Sequence, residues 1–184
     1  MRRSLLLLAA LALATPAAAN LNAGAKAPDF TAEGALAGKP FTVNLKAALK
    51  KGPVVLYFFP AAFTGGCNAE AHAFAEAIPD FQKAGATVIG MTAGNVDRIK
   101  EFSSDTKLCS GKFAVAAASP AVIKSYDVLL VGKDGKPSTI TSRTSYVIAP
   151  NGKILLVHSD MSPADHITLT LDAVKKYRAQ HPKH

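Results

Sequence analysis

Apolar residues along the chain fall into blocks that alternate between two kinds of spacing. "GPVVLYFFP", residues 52–60, is a short continuous apolar run rich in β-branched and aromatic residues and bounded by Gly52 and Pro60. That is the pattern of a strand buried on both faces. After it, Ala71, Phe74, Ile78 and Phe81 recur at helical spacing, with Glu70, Glu76 and Lys83 between them. Gly85 is placed to end that helix, and Pro79 predicts a kink or a split within it. "ATVIGMTA" (86–93) predicts a second buried strand. Asn95 predicts the cap of a helix reaching about Lys107, with Val96, Ile99 and Phe102 as its apolar stripe.

Further along, "FAVAAA" predicts a short strand, "PAVIKSY" a helical turn and "GKDGKPSTITS" (132–142) a polar loop. "RTSYVIAPNGKILLVHS" (143–159) reads as a hairpin, two apolar runs joined by a Pro-Asn-Gly turn. "DHITLTLDAVKKYRAQ" closes the pattern as an amphipathic helix. This succession predicts one α/β domain with a mixed central sheet and helices on both faces.

The N-terminus stands outside this pattern. "MRR" is basic, "SLLLLAALALA" apolar, and "TPAAA" places Ala17 and Ala19 in A-x-A spacing. This predicts a secretory signal peptide over residues 1–19, cut before Asn20, with the domain occupying 20–184. The apolar run is shorter than the ~20 residues that span a bilayer, and no second run of that length follows. The expectation is an exported protein, free of the membrane after cleavage and located in a bacterial periplasm, where disulfides persist. The net charge of +8 becomes +6 without Arg2 and Arg3. Lysines are dispersed and not interleaved with aromatics, which argues for a solvated basic surface and against nucleic-acid binding.

Candidate chemistry centres on "YFFPAAFTGGCNAE" (57–70), which holds Cys67, one of two cysteines in the chain. Cys67 falls where the first buried strand gives way to a helix. A side chain there faces unpaired backbone N–H groups and the positive end of the helix dipole, and both favour thiolate over thiol. Gly65 and Gly66 allow close backbone approach and space for a small reactant. Thr64, three residues before Cys67, can bring its hydroxyl to the same spot, or can serve as a helix cap alone. Pro60 ends the strand and can wall one side of a pocket.

Pro60, Thr64 and Cys67 fit P-x-x-x-T-x-x-C, and the segment resembles the active-site loop of peroxiredoxins, with Glu70 where that family carries an acidic residue. The resemblance runs from "GAKAPDFT" through the hairpin. It implies a thioredoxin-like fold and reduction of hydrogen peroxide or organic hydroperoxides, with no cofactor or metal. It also implies an arginine beside the cysteine from a later strand. Arg143 is the match, able to stabilise the thiolate and the charge on the leaving oxygen.

Cys109, in "DTKLCSGKF", resembles the resolving cysteine that some members of the PrxQ (bacterioferritin comigratory protein) subfamily carry in the helix after the second strand. That implies a catalytic Cys67–Cys109 disulfide, re-reduced by a thioredoxin- or glutaredoxin-like donor, in what is often a monomer. Other members place the resolving cysteine five residues after the nucleophile, where this chain has His72. Two cysteines in an exported chain also fit a permanent structural bridge. That alternative leaves Thr64 and the two glycines unexplained. A thioredoxin-type oxidoreductase would need C-x-x-C, and Glu70 occupies the second position; a copper chaperone would need C-x-x-x-C, and Ala71 does, despite His158 and His166. Departures from the family pattern are Asn68 after the nucleophile, Ser119-Pro120 where Ser-Asp is common, and the polar stretch 132–142.

Overall fold

The first buried run forms β3 (Val54–Phe58), in which all five side chains are enclosed, and the rest of the domain is assembled around it. The computed structural model describes residues 21–182. The signal peptide expected over 1–19 lies outside that range.

Before β3 come an antiparallel pair, β1 (Thr31–Leu36) and β2 (Lys39–Asn44), and a short helix, α1 (Leu45–Leu49). After it follow α2 (Gly65–Lys83), β4 (Thr87–Thr92), α3 (Val96–Ser104), β5 (Ala114–Ala117), α4 (Pro120–Ser125), β6 (Leu129–Val131), β7 (Pro137–Thr141), β8 (Thr144–Ile148), β9 (Ile154–Ser159) and α5 (His166–Gln180). Seven strands form one mixed sheet in the order β2-β1-β5-β4-β3-β8-β9. β4 is parallel to β3 and to β5, and β8 is antiparallel to β3.

Alternation along β3 divides the core. Val54, Leu56 and Phe58 face one apolar cluster, which includes Leu45 and Leu49 of α1 and Val122 and Ile123 of α4. Val55 and Tyr57 face the other, which includes Phe74, Ile78 and Phe81 of α2, Ile99 and Phe102 of α3, and Val174 of α5. Helices therefore cover both faces, as the pattern predicted.

Several local expectations hold for visible reasons. Asn95 caps α3, its side-chain oxygen accepting from the N–H groups of Asp97 (2.8 Å) and Arg98 (3.3 Å). Ser119 caps α4 through Val122 N–H, which gives Ser119-Pro120 a structural role. The hairpin turns at Pro150–Gly152, with Gly152 N–H on the Ala149 carbonyl (2.7 Å).

Other expectations need correction. α2 runs unbroken through Pro79, whose ring lies on the exposed side of the helix. α3 stops at Ser104, not near Lys107. The Asp105 side chain turns back to accept from Lys107 N–H (2.8 Å), and its carbonyl accepts from Leu108 and Ser110, so the chain passes into consecutive turns. Cys109 lies in these turns and not in the helix. The stretch 132–142 is no simple loop, because β7 pairs with β6 as a two-stranded hairpin. β1 and β2 escaped the pattern, since "TAEGAL" and "KPFTVN" are poor in buried β-branched residues.

Gly85 closes α2 with φ of +73°. Its N–H bonds to the Gln82 carbonyl and that of Ala86 to the Phe81 carbonyl, both at 2.8 Å, the paired bonds of a left-handed helix stop. Gly85→Ala forces a left-handed alanine at a cost of about 1–2 kcal/mol. Thermal unfolding should show a midpoint lowered by a few degrees, with peroxide turnover unchanged.

Candidate active site

The N-terminus of α2 points its first turn at the sheet, and the loop from Pro60 to Thr64 sets its position. Two buried hydroxyls hold that loop from behind. Thr141 on β7 donates to the Phe59 carbonyl (2.7 Å), and Thr92 on β4 donates to the Pro60 carbonyl (3.2 Å). Phe63 adopts φ of +63° and packs its ring edge-on against Phe102 at 5.4 Å.

Thr64 occupies the helix-cap position, yet its side chain makes no capping bond. Its hydroxyl instead donates to the Ala61 carbonyl (3.0 Å) and remains exposed. With no side chain capping the first turn, the N–H groups of Gly65, Gly66 and Cys67 have no acceptor within the helix. The two glycines differ in purpose. A Cβ on Gly66 would lie 3.1 Å from Arg143 Nη2, whereas one on Gly65 would meet nothing. Only Gly66 is required to make room, and the room is for the guanidinium.

Cys67 is buried, its sulfur 3.6 Å from Arg143 Nη2. Arg143 sits just before β8 and is itself buried. It donates through Nε to the Met161 carbonyl (2.9 Å) and through Nη1 to Glu70 Oε2. One planar cation is thus held by three partners from two parts of the chain, Cys67 and Glu70 on α2 and Met161 in the loop after β9. Cys67 and Arg143 are brought together, 76 residues separating the sulfur from its guanidinium partner, while Pro60 and Thr64 stand on the loop that leads into the first turn of α2.

Glu70 departs from the helical pattern read in the sequence. It was expected between the apolar positions, but it is fully buried beside Cys67 and Ala71. Burial raises its pKa to about 7, and Arg143 opposes that rise. Its Oε1 has no hydrogen-bond partner and lies 3.7 Å from Nδ1 of the buried His166. His72 is an exposed residue of α2.

Cys109 belongs to the same apolar cluster as Cys67. Both cysteines are buried free thiols. Burial, with Asp105 nearby, pushes the Cys109 thiol well above the usual thiol range. It is therefore a thiol at neutral pH in this arrangement.

Sequence reading named His166 only in setting aside a copper site, and passed over Ser145, Thr92 and Thr141. Thr141 and Ser145 stand beside other polar residues and Thr92 and His166 border apolar runs, and nothing in the linear pattern distinguishes any of them from an exposed residue. Strand register assembles part of this set: Tyr57 of β3 pairs with Ser145 of β8, and Ser145 with His158 of β9.

The profile of the AhpC/TSA family matches residues 23–157. The chain belongs to the AhpC/TSA family. Within it, the chain is 37% identical over 163 residues to the chloroplastic peroxiredoxin Q of Arabidopsis thaliana, covering 85% of this chain and 68% of that protein. Peroxidoxin BcpB from Mycobacterium tuberculosis superposes with a TM-score of 0.72 at 28% identity, over 86% of this chain and 99% of that one. The bacterioferritin comigratory protein of Xanthomonas campestris, whose structure concerns alkyl peroxide reduction, gives 0.68 at 24% identity, over 79% and 90%. The fold is the thioredoxin-like one of these proteins, and the chain is a peroxiredoxin of the PrxQ kind, a thiol-dependent peroxidase.

Glu70 also makes a stability prediction. Its carboxyl is held protonated to higher pH in the folded chain than in the unfolded one, where it ionises near 4.5. Between about 4.5 and 7 the unfolded state has fewer protons bound, so its contribution falls as pH rises and levels off above. Glu70→Gln cannot titrate. Denaturant unfolding across this range should therefore show the variant gaining on the wild type with rising pH, by roughly 1–3 kcal/mol in all.

Proposed function

We propose that Cys67 is the peroxidatic nucleophile, that Arg143, Thr64 and Pro60 form its pocket, and that Cys109 resolves the intermediate. The observation that carries this reading is the Arg143 guanidinium, fixed by Glu70 and the Met161 carbonyl and turned towards the Cys67 sulfur at 3.6 Å.

The thiolate attacks the terminal oxygen of a hydroperoxide. The S–O bond forms as the O–O bond breaks, Cys67 is oxidised to the sulfenic level, and the leaving oxygen departs as water or an alcohol after gaining a proton. Arg143, held before the reaction begins, stabilises negative charge on sulfur and on the leaving oxygen without reorganising. The Thr64 hydroxyl, kept from capping by its bond to Ala61, is free to turn and bond the peroxide. Pro60 is a rigid, buried wall whose carbonyl is held by Thr92.

The Cys109 sulfur then attacks the sulfenic sulfur, forming the disulfide and releasing water. A dithiol donor of the thioredoxin or glutaredoxin type restores both thiols. Because both cysteines are buried, the first turn of α2 and the turns at 105–112 must open for this step and for the donor. The turns suit that demand: Ser110 has φ of +51° and Gly111 of +65°, and they hang on the Asp105 and Ser103 carbonyls.

The same reading places the protein outside the cytoplasm, in a bacterial periplasm after removal of residues 1–19, acting as a monomer on hydrogen peroxide and organic hydroperoxides. The alkyl peroxide reduction of the Xanthomonas relative supports the organic substrates. Among the described residues, no helix is long and apolar enough to cross a membrane.

Two variants test the roles of the cysteines. Cys67→Ser should abolish peroxide consumption with a dithiol donor, and full retention would end the proposal. Cys109→Ser should complete one turnover and then accumulate sulfenic or over-oxidised Cys67, read by intact mass; sustained turnover with the same donor would show that Cys109 resolves nothing. N-terminal sequencing of the protein from fractionated cells should begin at Asn20.

A further inference from the structure

Behind Arg143 lies a second buried polar group that the peroxidatic reading does not use. His166, the first residue of α5, is fully buried. Its Nε2 lies 2.9 Å from the Asp160 carbonyl, which can only accept, so Nε2 carries the proton. Its Nδ1 lies 2.8 Å from the hydroxyl of Ser145, also fully buried, and 3.7 Å from the unpartnered Oε1 of Glu70. His158 packs edge-on against the His166 ring at 4.5 Å, with its own Nε2 buried and unpartnered.

The charges facing this group come from every element packed around it. Glu70 and Cys67 approach from α2, Arg143 from the start of β8, His158 from β9, and Asp160 from the loop beyond it. Tyr57, a neutral buried phenol on β3, completes the set. With Cys67 a thiolate and Glu70 ionised, two negative charges would share one guanidinium in a dry site. A single proton on Glu70, whose pKa burial raises to about 7 while burial holds the His166 imidazole neutral, restores neutrality and leaves the guanidinium to the sulfur.

We propose that His166 and Ser145 are positioning residues that, with Glu70, hold one proton behind Arg143 and so keep the buried site electrically balanced while Cys67 is a thiolate. The neutral imidazole turns its unprotonated Nδ1 towards Glu70 Oε1 and so favours the protonated carboxyl over the ionised one. This rests on Cys67 as the attacking group and adds to it a reason for an imidazole behind the arginine. Loss of the proton turns Glu70 into a competitor for Arg143, so the attack on peroxide should slow as pH rises through the Glu70 titration, near 7.

The test is the pH profile of Cys67 oxidation by hydrogen peroxide in a single turnover. The chain has no tryptophan, so rapid alkylating quench with mass readout is the suitable probe. The wild type should show a descending limb. His166→Leu should move that limb to lower pH by about one unit, a tenfold change in the proton's binding. His166→Gln, whose amide can both accept from Glu70 and donate to the Asp160 carbonyl, should restore it. In Glu70→Gln the limb should vanish, and adding His166→Leu should then move nothing. If His166→Leu does not fold, His166→Met, which fills the space with no nitrogen or oxygen to face Glu70, takes its place. An unmoved limb in the His166 variant, or an equal shift when Glu70→Gln is also present, overturns the proposal. A wild type that does not react with peroxide at any pH would instead sink the assignment of Cys67.

Discussion

The site depends on the buried ion pair between Arg143 and Glu70. A lone guanidinium at this depth would be expelled or neutralised by solvent, because burying an unpaired charge costs several kcal/mol. Glu70, one helical turn after Cys67, supplies the partner from the same helix that carries the sulfur. The Met161 carbonyl takes a third N–H and fixes the plane of the group. What remains is one Nη2 edge directed at Cys67. The pair therefore acts less as a source of stability than as a means of holding a cation against a sulfur where water cannot screen it.

The fold serves this arrangement by bringing distant segments to one end of the interior strands β3 and β8. β3 and β8 lie side by side and antiparallel, so the end of β3 that leads into the Cys67 loop meets the start of β8, where Arg143 stands. The same register sets Ser145 beside Tyr57 and His158 beside Ser145. Thr92 and Thr141 then tie down the connecting loop from β4 and β7. The chemistry sits on a short loop, but neighbouring strands hold that loop on both sides.

The sequence made much of this legible, and the limits have physical causes. β3, α2, β4 and the β8–β9 hairpin were readable because their burial is strong and periodic. β1 and β2 were not, since β2 is a largely exposed edge strand and β1 beside it is short in β-branched residues. The early end of α3 depended on one side chain, Asp105, folding back on the backbone. Cys67, Thr64 and Arg143 were found through a motif and a resemblance; Arg143 lies against the Cys67 sulfur, while the Thr64 hydroxyl rests on the Ala61 carbonyl. Glu70 was placed by the same resemblance, yet helical periodicity put it on the wrong side of the boundary between core and solvent. The partnership of His166 with Ser145 could not be read, because only tertiary packing brings them together.

Two buried thiols in one apolar cluster give the account its sharpest exposure to experiment, for they must meet during each cycle although neither is accessible at rest. Peptide mapping of the reduced wild-type protein after one equivalent of hydrogen peroxide measures this directly. The account predicts that the peptides holding Cys67 and Cys109 are recovered as one disulfide-linked species, and that a dithiol reductant separates them again. Recovery of both cysteines as unmodified thiols, or of a bridge that was present before peroxide and is unaffected by it, would contradict the account.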